Sequence, residues 1–408
     1  MVQPLDGCRI LELTMWGAAP FGVSHLCDMG AEVIKVEEPV GGDRLRGIFN
    51  SGGLTSIVPP NPVNYPWELS ARGKKSVGID IRTPQGRDLI YRLLPNIDVF
   101  VSSLRKKSLR KYGLDYESVS KVNPRLIFVH LSTFGARGPD ADLPGQDLTG
   151  MARAGLVNLL RHNPEDEILA EGPFSIGDFT GSLQLAYAAT LALLAREKTG
   201  VGQEVNVSIM GALIAVQEWL FQTYLTTEKE PSLREHHQMN NPIRNTYKCQ
   251  DGKYIALGMT EGDRYWPVFC ATIGRPELAG DPRFSDIVKR ASNNEELIAI
   301  LDEVFLSKTR DEWCALMREN DCTASPVQSY VDLASDPQVL ANNYVTTVEH
   351  PTHGPIKEVG ITVDLTETPG QAKNAAPELG QHTEEVLIEL AGLGWEELGH
   401  LKDARVII

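Results

Sequence analysis

The segment Ser175-Ile176-Gly177-Asp178-Phe179-Thr180-Gly181 places one carboxylate between glycines at the start of a long apolar run. Two roles are open to such an aspartate. As a helix N-cap it would accept bonds from the first backbone N–H groups, and its charge would suit the helix dipole. As a nucleophile it would be stripped of water by the apolar run and exposed through glycines that let a substrate approach. Other chemistries lack their signatures. The first apolar run is followed by Met15-Trp16-Gly17-Ala18-Ala19-Pro20. That is not Gly-x-Gly-x-x-Gly, and no Gly-x-x-x-x-Gly-Lys-Ser/Thr occurs, so an NAD or ATP pyrophosphate site is not expected. His236 and His237 are adjacent and diverge, and metal-ligand spacings are missing, so no metal is expected. No Gly-x-Ser-x-Gly elbow is present.

The elements that must carry Asp178 read as follows. Residues 8–14, 32–37, 75–81, 98–102 and 125–132 are short apolar runs that predict strands. Helical patterns at 21–29, 84–94 and 116–122 separate them, with Thr83 as the expected N-cap of the second. This alternation predicts a doubly wound, Rossmann-like α/β unit. The Gly-, Pro- and Asn-rich stretch 41–67 predicts a long loop, either functional or disordered. Residues 178–197 predict a long helix buried on most sides, followed by a strand at 204–209 and a second helix to about 227. The Asp251-Gly252 turn predicts a hairpin of 247–250 with 253–259. Helical patterns at 263–273 and 293–306 follow it, and the tail returns to a helix at 383–393. The expected organisation is a large Rossmann-like domain of 1–228 with 345–408 and a small α+β domain of 246–335. Residues 229–245 and 336–344 are linkers between them.

Composition narrows the function. The chain has 408 residues, 42% hydrophobic and 23% charged, which is ordinary for a soluble globular protein. Its 39 Lys and Arg against 54 Asp and Glu leave a net charge of −15. Nucleic-acid phosphates would be repelled by such a chain, so no nucleic-acid partner is expected. No basic, apolar leader opens it and no run approaches a membrane span. The six cysteines form no Cys-x-x-Cys pair and fit a reducing cytoplasm. The basic run Arg105, Lys106, Lys107, Arg110 and Lys111 stands out in this acidic background, as a solvated helix face or a phosphate site.

A set of short motifs carries a resemblance. Leu5-Asp6-Gly7 precedes the first strand, and Gly30-Ala31-Glu32-Val33-Ile34-Lys35-Val36-Glu37-x-Pro39 with Gly42-Asp43 spans the second. Lys74-Lys75-Ser76 precedes the third. Then come Gly135-x-x-Gly138-Pro139, Pro144-Gly145-x-Asp147, Gly177-Asp178 and Arg196-x-Lys198-Thr199-Gly200-x-Gly202-Gln203, with Ala376-Pro377-x-Leu379-Gly380-x-His382-Thr383 in the tail. In this order and spacing the chain resembles the family III CoA-transferases of the CaiB/BaiF type, the group of formyl-CoA transferase and carnitine CoA-transferase. That group also holds the α-methylacyl-CoA racemases.

The resemblance implies coenzyme A as a substrate, carried in on an acyl-CoA, with a small carboxylic acid as acceptor. It makes Asp178 the nucleophile of a mixed-anhydride and aspartyl-CoA cycle, with backbone N–H groups near 177–179 as oxyanion donors. It implies a CoA site at Trp16, Ile79, Arg82, Ser103, Leu104, Arg105, Lys111 and Tyr112. It also implies an interlocked homodimer, or alternatively a hetero-oligomer with a paralogous subunit.

Three departures refine the expectation. Ser103-Leu104-Arg105-Lys106-Lys107 replaces the usual Asn-Phe-Arg-Pro-Gly, keeping the cation but not the amide. Gln146 stands before Asp147 where racemases carry His, and an amide takes no proton near neutral pH, which favours transfer over racemisation. The Gly-rich loop of formyl-CoA transferases is replaced by 239–246, which points to larger aryl, dicarboxylic or 2-hydroxy acids. Trp16, Tyr65, Trp67 and Tyr224 are the aromatic candidates for an acyl pocket.

Overall fold

The structure, a computed structural model, describes residues 2–47, 63–161, 167, 175–231, 234–372 and 374–408. Its described residues fall into two compact units. One is drawn from Met1–Leu160, Ile168–Pro231 and Gln338–Ile408, the other from Arg161–Glu167 and Ser232–Pro337.

The first unit is built on a six-stranded parallel sheet of β1 (Arg9–Leu13), β2 (Glu32–Glu37), β3 (Lys75–Gly78), β4 (Val99–Ser102), β5 (Ile127–Ser132) and β6 (Glu204–Ser208). The spatial order is β3-β2-β1-β4-β5-β6. The chain winds outward from β1 in one direction, then returns beside β1 and winds outward in the other. The gap between the C-terminal ends of β1 and β4 is therefore the topological switch point, where ligands bind in open α/β sheets.

Period-two alternation assigns each strand residue to a face. Leu11, Leu13, Ile34, Val36, Val77, Phe100 and Phe128 point to one side. There they meet α3 (Pro84–Leu93) and the tail helices α12 (Thr383–Ala391) and α13 (Trp395–Asp403) through Leu89, Ile90, Leu93, Val386, Leu387 and Leu398. Ile10, Val33, Val99, Val101, Ile127 and Val129 point to the other side. There they meet α1 (Ala18–Asp28) and α6 (Ile176–Thr199) through Val23, Leu26, Leu185 and Ala189. Both faces are covered, as an all-parallel sheet requires. Further helices of this unit include α2 (Tyr65–Ala71), α4 (Lys106–Tyr112), α5 (Asp147–Arg153), α7 (Ile209–Val216) and α8 (Glu218–Thr227). Thr83 caps α3 as expected, accepting the Gly86 N–H at 3.0 Å.

The helix expected to be buried on most sides is not. Leu185, Ala189 and Ala192 of α6 are buried, but Phe179, Leu183, Tyr187, Leu191 and Leu194 on its other face are exposed. The run is apolar all round, and composition alone does not say which faces have partners. Residues 48–62 of the expected long loop lie outside the described residues.

The second unit carries the small antiparallel sheet of β7 (Thr246–Lys248), β8 (Tyr254–Leu257) and β9 (Ala324–Pro326), in that order. Its helices α9 (Gly262–Thr272), α10 (Asn294–Phe305) and α11 (Arg310–Glu319) bury Trp266, Phe269, Leu301, Phe305 and Trp313 against the sheet. In the first unit's tail, β10 (Val345–His350) and β11 (Gly354–Val359) form a hairpin without a strand signal that composition had revealed.

Candidate active site

Asp178 sits in the first turn of α6, whose cap position is taken by Ser175 in the left-handed conformation without a side-chain cap bond. The cap comes from elsewhere. Asp147, at the start of α5, accepts the Asp178 N–H at 2.9 Å and takes further backbone bonds from Gly177 and Ser175. Gly177 is needed for this approach, because a Cβ there would come within 2.7 Å of the Asp147 Oδ1. The helix-cap role open to Asp178 is thus filled by a residue 31 positions away. The oxyanion role expected of 177–179 is not available: Asp178 N–H serves Asp147, and Phe179 N–H donates to Ser175 O at 2.9 Å.

The freed carboxylate turns toward the N-terminus of α1. A Cβ on Gly17 would overlap the Asp178 Oδ2. Gly17 is the cap residue of α1, which has no side-chain cap. The first N–H groups of a helix have no intrahelical acceptor and carry the positive end of its dipole. Phe179 stacks on Phe21 of α1, with ring centroids 4.7 Å apart, and locks the two helix starts together. Among the described residues no hydrogen bond reaches the Asp178 carboxylate from a side chain. Burial pushes its carboxyl up to about 7, and the Asp147 carboxylate adds to the rise. Burial likewise pushes Asp147 up, against the backbone donors that hold it down.

A cleft of about 230 Å³ opens at the switch point. Leu13, Val36, Ile79, Ile81 and Leu104 give it apolar walls, with Tyr112 and Arg82 at its edge. Of the residues expected at a CoA site, Ile79, Arg82, Leu104 and Tyr112 line this cleft. Ser103 joins it through the cleft residue Met15, whose N–H donates to the Ser103 Oγ at 3.2 Å. Trp16 follows directly, 40% exposed, and Gly17 then reaches Asp178. Three consecutive residues therefore connect cleft and carboxylate.

Arg105 and Lys111 are exposed at the two ends of α4 and have no carboxylate partner among the described residues. Two other cations of that run differ. Lys106 pairs with Glu204 at 2.7 Å and Arg110 with Asp142 at 3.1 Å. Sequence proximity grouped five charges, but partners on β6 and in the loop after β5 neutralise two of them. Arg82 is also engaged, by Asp80 and Glu38, each at 2.8 Å. Among the aromatic candidates Trp67 faces inward. It is buried with Leu45 and Ala71 under the Arg46 guanidinium, so it serves packing.

A buried charge network escaped the sequence reading. Lys35 Nζ pairs with Glu12 and Asp43, each at 2.9 Å, and Lys74 Nζ pairs with the other oxygen of Glu12 at 2.7 Å. Burial opposes charge on Glu12, but Lys35 and Lys74 outweigh it and hold its carboxyl down. Burial and the Lys35 charge push Lys74 down. The signal was charged residues in the middle of apolar strands, where an unpaired charge would be costly. Buried His130 on β5 places one ring nitrogen 2.9 Å from the Leu104 carbonyl, fixing that wall of the cleft.

Comparison with known proteins agrees with this architecture. The family model described as "CoA-transferase family III" matches residues 5–383. The chain is 33% identical to (R)-2-hydroxy-4-methylpentanoate CoA-transferase of Clostridioides difficile, covering 99% of both chains. It is also 33% identical to succinyl-CoA–D-citramalate CoA-transferase of Chloroflexus aurantiacus, covering 99% of this chain and 98% of that one. The crystal structure of a CaiB/BaiF family protein from Brucella suis superimposes with a TM-score of 0.81 at 29% identity, over 96% of this chain and 100% of the other. A match of this extent to the family model, with relatives one-third identical from end to end, makes the chain a member of CoA-transferase family III.

Proposed function

We propose that this CoA-transferase moves CoA from an acyl-CoA to an aryl, dicarboxylic or 2-hydroxy acid through covalent intermediates on Asp178. The observation that carries the reading is a carboxylate released from helix capping, set at an uncapped helix N-terminus and joined by three residues to the switch-point cleft. The names of the two relatives above, which carry 2-hydroxy and dicarboxylic acids, support that part of the acceptor class.

In the cleft, the apolar walls and Tyr112 take the adenine end, while Arg82, Arg105 and Lys111 are the cations for its phosphates. Ser103, Leu104 and Trp16 lie along the path of the thioester toward Asp178. The Asp178 carboxylate attacks the donor thioester carbonyl, giving a mixed anhydride and CoA thiolate. The thiolate attacks the aspartyl carbonyl, releasing the donor acid and leaving an aspartyl-CoA thioester. The acceptor carboxylate attacks that thioester and displaces the thiolate. The thiolate then takes the acceptor acyl group from the new anhydride, restoring Asp178. Each step exchanges one activated acyl group for another, so no nucleotide is consumed. The open N–H groups at the α1 start are the donors for the tetrahedral oxyanions.

Incubation with a panel of acyl-CoAs, hydroxylamine trapping and peptide mass spectrometry tests the reading. A hydroxamate or CoA mass on the Asp178 peptide is expected. No adduct with any donor, from folded protein that binds CoA, would return the residue to a structural role. The racemase alternative needs a second base, but Gln146 stands where racemases carry His, and the neighbouring Asp147 is committed to the backbone N–H of Asp178. Deuterium exchange at the α-carbon of an α-methylacyl-CoA is expected to be absent.

Only ionised Asp178 attacks, so kcat/KM is expected to fall below a limb near pH 7. Asp147→Asn keeps an oxygen for the Asp178 N–H but removes a negative charge. Its limb should move to lower pH. An unmoved limb in the pH–rate profile would mean that Asp147 does not act on the reacting carboxylate.

We further infer a cytoplasmic, interlocked homodimer, with a paralogous subunit as the alternative partner. Among the described residues, which include all six cysteines, there is no disulfide, in keeping with a reducing compartment. Among the described residues no helix is long and apolar enough to cross a membrane. Leu183 and Tyr187 on α6 are 57% and 65% exposed, and Trp219 on α8 is 83% exposed. Apolar side chains repeated along one helix face mark a surface that a second chain covers. Sedimentation at micromolar concentration should give the dimer mass, and Leu183→Glu with Tyr187→Glu should shift it toward the monomer. A wild-type monomer would rule the assembly out.

A further inference from the structure

Trp16 has a φ of 67°, in the left-handed region that side chains with a Cβ rarely adopt. The residue is 40% exposed, so packing covers only part of it. Its N–H is held. It donates to the Asp43 Oδ1 at 3.2 Å, and the same oxygen accepts the Leu45 N–H at 3.0 Å. The other carboxylate oxygen pairs with Lys35 at 2.9 Å. Asp43 is in turn fixed through its own N–H, which donates to the Glu37 Oε2 at 3.0 Å. Lys35 and Glu37 belong to β2, and Lys35 is tied to Glu12 on β1. Asp43 is 2% exposed and is tied to β2 through both Lys35 and Glu37. The residue after Trp16 is Gly17, the one that meets Asp178.

We propose that Asp43 is a positioning residue for CoA transfer: its carboxylate holds Trp16 in the left-handed conformation that sets Gly17 and the start of α1 against Asp178. The inference rests on Asp178 as the nucleophile. Asp43 also lines the cleft, so one carboxylate joins the cleft wall to the reacting group.

The test is a set of mutant cycles. Asp43→Ala is made in the wild-type, Trp16→Phe and Trp16→Gly backgrounds, with Asp43→Asn as the milder variant. Hydroxylamine trapping on Asp178, kcat, KM for the acyl-CoA and urea unfolding are measured for each. Glycine takes a positive φ without strain, whereas phenylalanine keeps the Cβ restriction. Asp43→Ala should lower kcat and trapping on the order of 100-fold in the wild-type and W16F backgrounds. In W16G the loss should be at least about tenfold smaller. Leaving Lys35 without this partner costs the same in every background and cancels from the cycle. Equal losses in W16F and W16G would overturn the proposal. If wild-type protein gives no trapped adduct, the nucleophile reading has failed, and unfolding still decides the rest. Asp43→Ala should then destabilise W16F more than W16G, and equal destabilisation would show that Asp43 does not hold residue 16.

Discussion

Asp178→Asn is expected to abolish CoA transfer and, at the same time, to stabilise the protein at pH 8. The substitution keeps shape and removes the nucleophile. No other group can form the anhydride, so kcat should fall by at least about 10⁴-fold, as when the nucleophile of a covalent enzyme is deleted. The stability effect has a definite sign. The folded-state carboxyl titrates at about 7, above the ordinary value of 3.8. Between those values the folded protein binds more protons than the unfolded chain, so ionisation of Asp178 costs stability as pH rises through that window. Asparagine carries no such cost. At about 1.4 kcal/mol per pKa unit, and allowing for solvent screening at a half-buried site, the gain is about 2 kcal/mol. It should be seen in urea unfolding at pH 8 and vanish at pH 4. A variant with more than a trace of transfer, or one no more stable than wild type at pH 8, would contradict the site described above.

Gly17→Ala is expected to have the second largest effect, with no loss of fold. Gly17 has a φ of −85°, which alanine adopts freely. The obstacle is the Asp178 Oδ2, with the Asp178 Cγ 3.1 Å and the Phe21 Cε2 3.4 Å from the added methyl. The carboxylate is the flexible end of its side chain, so it gives way, swinging off the α1 N-terminus while both helices stay packed. Losing the aligned attack geometry costs on the order of 100-fold in kcat. The cleft is untouched, so KM for the acyl-CoA should stay within a few-fold of wild type, and unfolding should change by less than about 1 kcal/mol, the scale of an N-cap glycine-to-alanine change. Transfer assays beside urea unfolding separate these outcomes, and full activity would mean that Asp178 does not work from this position.

Much of this molecule follows from local pattern. The run Glu32–Glu37 is a strand at those residues, because the β-branched Val33, Ile34 and Val36 suit an extended chain buried on both faces. Thr83 and Pro84 start a helix where a cap and a first-turn proline must. Alternating strand and helix signals forced a parallel sheet, and Gly177-Asp178 marked the start of a long helix. These relations extend over two to four residues, the reach of backbone periodicity and capping. What the site does was decided at longer range. Asp147 takes over the helix cap, Gly17 admits the carboxylate, and Glu204 and Asp142 neutralise two of five clustered cations. Lys35, which also pairs with Asp43, meets Glu12 only because β1 and β2 pair in register, with Glu12 opposite Lys35. Desolvation and charge act through space, so the state of Asp178 depends on neighbours that only the packed sheet and helices bring to it.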